Sequence, residues 1–352
     1  MAKKEVWQGN EALSESALRA GCRFFAGYPI TPQTEITEYL AKRMPQLEGR
    51  VFLQGESELA SINMVYGASA IGARAMTATS GQGLALMAEG LSQLSDAGVP
   101  AVVVDVMRAG PGNGGTESSQ GDYSFVSGSL GHGGFKAFIF GPSTVQETAD
   151  MVYDAFDIAD KYRVVVAILI DGMLGHLIEA VELKPFRDMD SLPFRQWAEK
   201  NDPTGPKVHW CMGPNWEQHA RDVAAMYESW SELAQVDEFM MDDAEYVVTA
   251  WGTCARCCKT AIRALRAEGY KVGMIRPKTI FPFPKQSFAA LDEGKVKQII
   301  NFENAIPEQF LVDVKAALAE ARKDIPIVSY THGMGTCFTA DEIEAKLREV
   351  VK

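Results

Sequence analysis

Four short segments of the sequence carry side chains that could bind or transform a small molecule, and each follows a short apolar run. They are GYPITP (27–32), GESE (55–58), TSGQG (79–83) and MRAG (107–110). An arginine with hydroxyl groups and backbone amides nearby can bind a carboxylate through charge-assisted hydrogen bonds. A glutamate in front of an apolar helix start can share a proton with a nitrogen heterocycle. These segments therefore indicate carboxylate binding and proton transfer.

The first segment leaves two interpretations of Thr31. Pro29 and Pro32 fix two backbone φ angles around it, in a turn between a strand and a helix. On the structural interpretation, Thr31 caps the helix and Pro32 is its first residue. On the functional interpretation, the prolines hold the Thr31 hydroxyl at the carboxyl end of a strand, where open α/β sheets bind ligands.

The other segments leave a similar choice. Glu56 and Glu58 precede an apolar helix, and a helix N-terminus stabilises a carboxylate, which alone could explain both acids. Ser80 and Gly81 form a turn after a strand, and Arg108 lies at the tip of an apolar strand, before a glycine-rich loop. If these strands are parallel, all four segments lie at one edge of one sheet.

Strands and helices alternate through the first half of the chain, which predicts the α/β class with a doubly wound parallel sheet. The predicted strands are 22–26, 50–53, 74–79, 101–107, 136–140 and 164–170. The clearest predicted helices are 58–71, 84–97 and 145–162. The last of these opens with a capping box, Thr144 to Glu147.

The alternation stops after residue 185 and resumes near residue 242. We therefore predict a first domain at 1–185, a linker or arm at 186–241 with an amphipathic helix near 217–236, and a second, smaller α/β domain at 242–352. Its predicted strands are 245–250, 271–275, 296–301 and 326–330, and its predicted helices are 253–268, 284–292, 307–322 and 339–350. The three prolines of RPKTIFPFP (276–284) predict a fixed surface turn.

The composition narrows the function classes. The net charge of -12 over 352 residues argues against a nucleic-acid partner, because little could neutralise a run of phosphates. The N-terminus lacks the apolar core of a signal peptide, and the longest apolar run, 164–170, is too short to span a membrane. We expect no membrane insertion and a cytoplasmic location.

The cysteines need separate treatment. The C-x-x-C-C pattern at 254–258 is compatible with a redox pair or with iron–sulfur ligands. A four-cysteine cluster needs a fourth ligand, and Cys211 and Cys337 stand in unrelated contexts. The segment 252–269 also predicts a helix, capped by Thr253. We therefore favour buried or half-buried helix thiols over a metal site on this chain.

Several common catalytic motifs are absent from the sequence. The first strand leads into GYPITP rather than a G-x-G-x-x-G dinucleotide loop, and the glycine-rich stretch 108–115 has the wrong spacing for one. The sequence contains no P-loop, no nucleophile elbow and no paired-histidine metal motif among its five histidines. A stand-alone nicotinamide dehydrogenase is therefore not expected.

Several longer motifs in a fixed order carry a family resemblance. They are GNEALSESALRAGCRFFAGYPITPQTEI, GESELASINMVYGASAIGARAMTATSGQGLALMAEGLS, MRAGPGNGGTESSQGDY, DGMLG and YKVGMIRPKTIFPFP. Over nearly its whole length the chain resembles the thiamine-diphosphate-dependent 2-oxoacid:ferredoxin oxidoreductases, in particular the subunit with the pyrimidine-binding domain. The resemblance implies a thiamine-diphosphate pyrimidine-domain fold, followed by a smaller domain similar to the C-terminal domain of transketolase.

The resemblance also implies roles for individual residues. Glu58 matches the glutamate that pairs with the pyrimidine ring and promotes its catalytic activation. Thr31 and Arg108 match the residues that contact the carboxylate of the 2-oxoacid. The other residues implied in cofactor binding are Tyr28, Pro29, Ser80 and Gly81.

Other chains must supply the rest of such an enzyme. The sequence contains no Gly-Asp-Gly motif followed by an asparagine, which the diphosphate and Mg²⁺ half of the cofactor site requires. The resemblance implies a beta subunit that holds the diphosphate through Mg²⁺, a gamma subunit and a ferredoxin-like delta subunit, with the [4Fe-4S] clusters on partner subunits rather than on this chain. It implies oxidative decarboxylation of a 2-oxoacid with coenzyme A and ferredoxin.

Two departures from the family pattern leave the substrate open. Gln82 stands where a proline is expected in branched-chain relatives, and Glu117 stands where a neutral residue is more usual. A third departure is the segment 301–318, which lacks an expected strand end rich in methionine and glycine. A branched-chain 2-oxoacid is our first expectation, and 2-oxoglutarate or an aryl 2-oxoacid follows. The alternative of a different class is a non-catalytic scaffold, whose decayed site should have lost Glu58, Thr31 or Arg108.

Overall fold

The chain folds into two parallel-stranded α/β sheets, in agreement with the predicted class. The structure is a computed structural model that describes residues 4–192, 195, 197, 198, 215–333 and 335–351. The first part contains β1 (Glu5–Gln8), α1 (Gly9–Arg19), β2 (Phe24–Gly27), α2 (Thr34–Arg43), β3 (Val51–Gln54), α3 (Glu58–Ala70), β4 (Ala75–Thr79), α4 (Gln82–Ala97), β5 (Ala101–Met107), α5 (Tyr123–Gly128), β6 (Phe138–Phe140), α6 (Val145–Tyr162), β7 (Val165–Asp171), α7 (Gly172–His176) and β8 (Ile178–Val181). The second part contains α8 (Trp216–Ser229), β9 (Val236–Phe239), β10 (Tyr246–Thr249), α9 (Gly252–Ala267), β11 (Val272–Pro277), β12 (Thr279–Phe281), α10 (Lys285–Ala289), β13 (Gln298–Glu303), α11 (Phe310–Glu320), β14 (Ile327–Thr331) and α12 (Ala340–Val350).

The first sheet has the strand order β12-β6-β7-β5-β4-β2-β3, and all of its strands except β12 are parallel. Its central strand β5 is buried on both faces, which explains its nearly continuous apolar sequence. Val102, Val104 and Val106 pack toward α1 and α6, whereas Val103 and Met107 pack toward α3 and α4. After β2 the chain adds β3 on one side of it and then crosses back to add β4 on the other side. A topological switch point therefore lies at β2.

The second sheet has the strand order β14-β13-β10-β11-β9, with β9 antiparallel to β11. Its four parallel strands agree with the predicted strands within a few residues. The predicted helix near 217–236 ends earlier, at Ser229. Trp230, which follows it, is fully buried against Phe138 and Phe281, and the chain then enters β9 inside the predicted linker. The end of the helix is thus set by tertiary packing.

The prediction of a surface turn at 276–284 is wrong. Residues Thr279–Phe281 form β12, which pairs with β6 and so extends the first sheet. Ile280 is 1% exposed, because this short strand crosses between the two sheets. The prolines do not interrupt this pairing, because Pro277 ends β11, and Pro282 and Pro284 follow β12.

Two predicted helix caps have different outcomes. Thr144 accepts a hydrogen bond from the Glu147 amide over 3.1 Å, which confirms it as the N-cap of α6. The Glu147 carboxylate, however, accepts from the amide of Ser143. The prediction that Thr253 caps α9 is wrong, because Trp251 occupies the N-cap position and the Thr253 hydroxyl donates to Asp171.

A buried arginine joins the two sheets. Arg276, at 1% exposure, donates to both carboxylate oxygens of Glu147 over 2.6 and 3.0 Å, and to Asp237 over 2.9 Å. Burial alone would raise the pKa of Glu147, but the hydrogen bonds and charge of Arg276 outweigh it and lower that pKa to about 2. Glu147 therefore stabilises the fold while it is ionised.

Replacing Glu147 with Gln should lower the free energy of unfolding by roughly 2–4 kcal/mol at pH 7, because one partner of a buried ion pair is lost while Asp237 remains. The lowered pKa means that this stability is present above the ordinary value of 4.5 and is lost as the pH falls toward 2. Denaturant unfolding at pH 7 and pH 3 should show the variant and the wild type converging at the lower pH.

Glu245→Gln is the matched control. Glu245 has a similarly low pKa, about 2, owing to Lys271 and Lys297, but this cluster lies at the surface. Exposed ion pairs contribute little, so this variant should unfold much like the wild type. An equal loss of stability in both variants would contradict the role of the Arg276–Glu147 pair.

Candidate functional site

The turn after β2 presents Thr31 as an exposed residue ahead of the helix. Gln33 occupies the N-cap position of α2, so the interpretation of Thr31 as the helix cap is wrong. Other side chains hold the turn: Gln33 Nε2 donates to the carbonyl of Tyr28 over 2.8 Å, and Asn10 Nδ2 donates to that of Pro32 over 3.0 Å. The turn is fixed and leaves the Thr31 side chain available.

Arg108, at the carboxyl end of β5, joins this turn to the glycine-rich loop. Its Nη1 donates to the carbonyl of Thr31 over 2.8 Å, and its Nη2 donates to that of Asn113 over 2.9 Å. Its Nε is buried and has no hydrogen-bond partner among the described residues. Since a guanidinium has five N–H donors, Arg108 can hold both carbonyls and still donate to a ligand.

Glu58 is the first residue of α3, directly after the N-cap Ser57, whose hydroxyl accepts from the Ala60 amide over 3.2 Å. The structure separates the two acids of this segment, because Glu58 is 5% exposed and Glu56 is exposed. Within the described part of the chain, no group forms a hydrogen bond or an ion pair with the Glu58 carboxylate. A buried carboxylate with free hydrogen-bonding capacity is the kind of group that a ligand completes.

The turn after β4 lies beside Glu58. A Cβ at Gly83 would lie 2.1 Å from Thr79 Oγ1 and 2.5 Å from Glu58 Oε1, so a glycine is needed where α4 starts. The hydroxyls of Thr79 and Ser80 are buried and have no hydrogen-bond partner in the described structure. Gly81 has a φ of +47°, which allows the backbone to turn toward β5.

The predicted residues therefore line one edge of the first sheet, at its switch point. Arg108 contacts Thr31 directly, and its Cγ would lie 3.9 Å from a Cβ at Gly81. The turn at Gly81 leads within two residues to the contact with Glu58. Tyr28 and Pro29 lie in the same turn as Thr31; Tyr28 is 39% exposed and Pro29 is half-buried.

Sequence reasoning missed two carboxyl groups at this edge. Asp105, on β5, is 1% exposed and accepts from the Gly81 amide over 3.2 Å. Asp122, which precedes α5, borders the same turn, since a Cβ at Gly81 would lie 4.0 Å from Asp122 Oδ2. The single aspartate within the apolar run AVVVDVM was a usable signal, since an acid in a buried strand needs a partner. Asp122 carried no comparable signal.

The cysteines of the C-x-x-C-C pattern are helix thiols, as predicted. Cys254 and Cys258 are buried in α9 and Cys257 is half-buried. Cys337 is half-buried, and its thiol donates to the carbonyl of Ser118 over 3.6 Å. Burial raises the pKa of Cys257 to about 11 and that of Cys337 to about 12, so both thiols are neutral at pH 7. The prediction about Cys211 lies outside the described residues.

Among the described residues, no group of three or more His, Cys, Asp or Glu side chains is arranged to hold a metal ion. Nor does any helix in that part of the chain have the length and apolar character needed to cross a membrane.

The two departures lie in different surroundings. Gln82 is the half-buried first residue of α4. The carbonyl of Glu117 accepts from the Ala109 amide over 2.8 Å. Its side chain lies against Gly335, where an added Cβ would come within 2.4 Å of Glu117 Cβ. Gln82 is thus beside the turn of the candidate site, whereas Glu117 is exposed and lies beside Gly335, in the loop after β14.

Comparison with protein families gives two adjoining matches. Residues 15–250 match the model described as pyruvate flavodoxin/ferredoxin oxidoreductase, thiamine diP-bdg. Residues 244–343 match pyruvate:ferredoxin oxidoreductase core domain II. Together they cover nearly the whole chain.

Curated relatives match over similar lengths. The chain is 39% identical to ketoisovalerate oxidoreductase subunit VorB of Methanothermobacter marburgensis, over 98% of this chain and 97% of the relative. It is 37% identical to 2-oxoglutarate synthase subunit KorA of Methanocaldococcus jannaschii, over 84% of this chain and 87% of the relative.

Two solved structures have the same fold. 2-Oxoglutarate:ferredoxin oxidoreductase from Magnetococcus marinus, solved with 2-oxoglutarate, coenzyme A and succinyl-CoA bound, superposes with a TM-score of 0.83 at 26% identity. The match covers 99% of this chain but 65% of that chain. A split-gene transketolase superposes with a TM-score of 0.61 at 13% identity, which supports the fold alone.

Proposed function

The chain belongs to the pyruvate flavodoxin/ferredoxin oxidoreductase family, and from that premise we propose that it is the pyrimidine-binding subunit of a coenzyme A-dependent 2-oxoacid:ferredoxin oxidoreductase. The complex would convert a 2-oxoacid to acyl-CoA and CO₂ while it reduces ferredoxin. A branched-chain 2-oxoacid such as 2-oxoisovalerate is the favoured substrate, because the VorB relative is 39% identical over nearly the full length.

The observation that carries this proposal is the Glu58 carboxylate, buried and without a partner among the described residues. It fits the ring nitrogen of an aminopyrimidine, because a carboxyl can donate to that nitrogen and share its proton with it. Bound thiamine diphosphate supplies the electron sink for decarboxylation. Ser80, Gly81, Tyr28 and Pro29 would surround the same ring from the two neighbouring turns.

Arg108 and Thr31 would bind the substrate carboxylate. Arg108 is fixed by two backbone carbonyls, which leaves its remaining N–H groups oriented for a ligand. The Thr31 side chain is exposed next to it and can add a neutral hydrogen bond. Both lie at the carboxyl edge of the sheet, as Glu58 does, so a substrate held by them would lie near the cofactor.

The missing half of the cofactor site points to a partner chain. The sequence lacks the diphosphate and Mg²⁺ motif, and the N-terminal halves of α3 and α4, which flank Glu58, expose apolar side chains to solvent. These are Leu59 at 45%, Met64 at 36% and Leu86 at 54% exposure. An apolar surface continuous with a half-built site fits a partner that completes the site. We define Leu59, Met64 and Leu86 as the α3–α4 surface.

The assignment extends to the remaining components. A beta subunit would carry the diphosphate and Mg²⁺, and gamma and ferredoxin-like delta subunits would carry the [4Fe-4S] clusters and the electron path to ferredoxin in the cytoplasm. The division into domains at 1–185 and 242–352, joined by an arm at 186–241, is part of this proposal. The second domain would support assembly and approach coenzyme A.

Leu86→Glu should prevent assembly with the beta subunit, because it places a charge within the α3–α4 surface. Copurification from coexpressed subunits should fall at least tenfold, while circular dichroism of the variant chain stays normal. Val312→Glu, on α11 and 61% exposed, is the matched control and should assemble normally. Normal assembly of Leu86→Glu would show that the partner binds elsewhere.

The direct test of the function is to copurify the chain with its partners and assay a panel of 2-oxoacids with coenzyme A and ferredoxin. We expect the highest kcat/KM for a branched-chain substrate. A preference for 2-oxoglutarate or an aryl 2-oxoacid would correct the substrate and keep the reaction. A correctly assembled complex that is inactive on the whole panel would instead support the scaffold alternative.

A further inference from the structure

The buried Asp105 and the half-buried Asp122 form a carboxyl pair next to Arg108 that the proposed reaction does not use. Asp105 is 1% exposed, and Oδ2 of each aspartate is buried with no donor from any other described residue. Both nevertheless lie against the same turn, because the Gly81 amide donates to Asp105 over 3.2 Å and a Cβ at Gly81 would lie 4.0 Å from Asp122 Oδ2. The two carboxyl groups are therefore close enough for contact with each other. Two carboxylates cannot donate to each other, so this contact requires a proton on one of them.

The surroundings decide which aspartate keeps the proton. Burial, and then the negative charge of Asp122, raise the pKa of Asp105 well above its ordinary value. Burial raises the pKa of Asp122 to about 6, while the hydrogen bond from Asp105 and the charge of Arg108 limit the rise. Because Asp105 is also the more deeply buried of the two, it is the better site for the shared proton.

We propose that Asp105 and Asp122 share one proton at neutral pH, and that their single negative charge sets how strongly Arg108 attracts the substrate carboxylate. The inference rests on the proposed function for the role of Arg108. The two aspartates are positioning residues, since they act through Arg108 rather than on the substrate. Asp105 also holds the turn of Gly81 by accepting its amide hydrogen over 3.2 Å.

Few other charges face the pair. In the register of the sheet, the partners of Asp105 are the neutral residues Thr79 on β4 and Leu169 on β7. Asp171 lies at the end of β7, level with Met107, and its side chain accepts hydrogen bonds from α7 and α9. Glu58 lies by Gly83, beyond the turn at the start of α4. Arg108 is thus the charge that the pair chiefly affects.

The proposal gives the pH dependence a definite sign. Above pH about 6, Asp122 is ionised and partly neutralises Arg108; below it, both aspartates are protonated and Arg108 acts with its full charge. The KM for the 2-oxoacid should therefore fall about five- to tenfold as the pH falls through 6, the size of effect that one unit charge a few ångströms away produces near solvent. The KM for coenzyme A should show no matching step.

Three variants of the assembled complex test this. The double variant Asp105→Asn/Asp122→Asn should keep the low KM at all pH values and so lose the step. Asp105→Asn alone should retain it, because its amide can still donate to an ionised Asp122. Asp313→Asn, at a half-buried aspartate that accepts from Tyr123 over 2.6 Å, is the matched control and should retain the step. A step that persists in the double variant would overturn the proposal.

Infrared spectroscopy tests the shared proton without an activity assay. At pH 7.5, the difference spectrum between the wild-type complex and Asp105→Asn should contain the band of a protonated buried carboxyl group. A difference spectrum without this band would overturn the proposal, even if the double variant failed to assemble. A wild-type complex that is inactive on 2-oxoacids would contradict the proposed function, whereas the infrared result would still decide whether the proton is shared.

Discussion

Replacing Glu58 with Gln should lower turnover of the assembled complex by about 10²–10⁴-fold, the usual contribution of general acid–base catalysis. Glu58 is buried at the start of α3 without a described partner, so its carboxyl can exchange a proton with a ring nitrogen. Glutamine has the same size and can donate a hydrogen bond, but it cannot exchange that proton. Folding and assembly should survive.

A second measurement separates this role from substrate binding. Exchange of the C2 proton of bound thiamine diphosphate for deuterium should slow in parallel with turnover in Glu58→Gln. The rival interpretation is that Glu58 only complements the α3 dipole, an effect worth about 0.3–1 kcal/mol. On that interpretation the variant would lose a little stability and keep normal exchange.

Glu56→Gln is the matched control for the dipole effect. Glu56 lies two residues earlier, at the same helix start, but it is exposed. It should change neither turnover nor C2 exchange. If a well-folded Glu58→Gln complex exchanged its C2 proton as fast as this control, the assignment of Glu58 to catalysis would be wrong.

The edge of the first sheet was predictable because its signals are local. Each of the segments at Thr31, Glu58, Ser80 and Arg108 directly follows a parallel strand in the sequence, and such strands place their carboxyl ends at one edge. The choice between Glu56 and Glu58 was not predictable from these signals. Burial separates them, and it depends on α4 packing beside α3 through Gly83.

Features that depend on distant pairing were not predictable. β12 reads locally as a proline-rich turn, and it becomes a strand because β6 offers a free edge far away in the sequence. β9 lies in a segment that looks like a linker and forms by pairing with β11. In the same way, Asp122 lies in a polar loop, and only the fold brings it to Asp105.

Replacing Arg108 with Ala should raise the KM for the 2-oxoacid by about 10–150-fold, the value of a charge-assisted hydrogen bond of roughly 1.5–3 kcal/mol. The KM for coenzyme A should change far less, because coenzyme A has no carboxylate for Arg108 to bind. Thr31→Val should act in the same direction with a smaller effect, since a neutral hydroxyl forms a weaker bond. Steady-state kinetics on the assembled complex measure both KM values for each variant.

Arg108→Ala also removes two hydrogen bonds within the fold, because Arg108 donates to the carbonyls of Thr31 and Asn113. Arg163→Ala is the matched control: Arg163 likewise donates to two backbone carbonyls, those of Ala97 and Gly98, away from the candidate site. If loss of such anchors explained the effect, both variants would lose similar stability and raise both KM values alike. A rise confined to the 2-oxoacid, and to Arg108→Ala, would instead follow from a lost charge at the substrate carboxylate. Equal changes in both KM values would make Arg108 a structural residue at the end of β5.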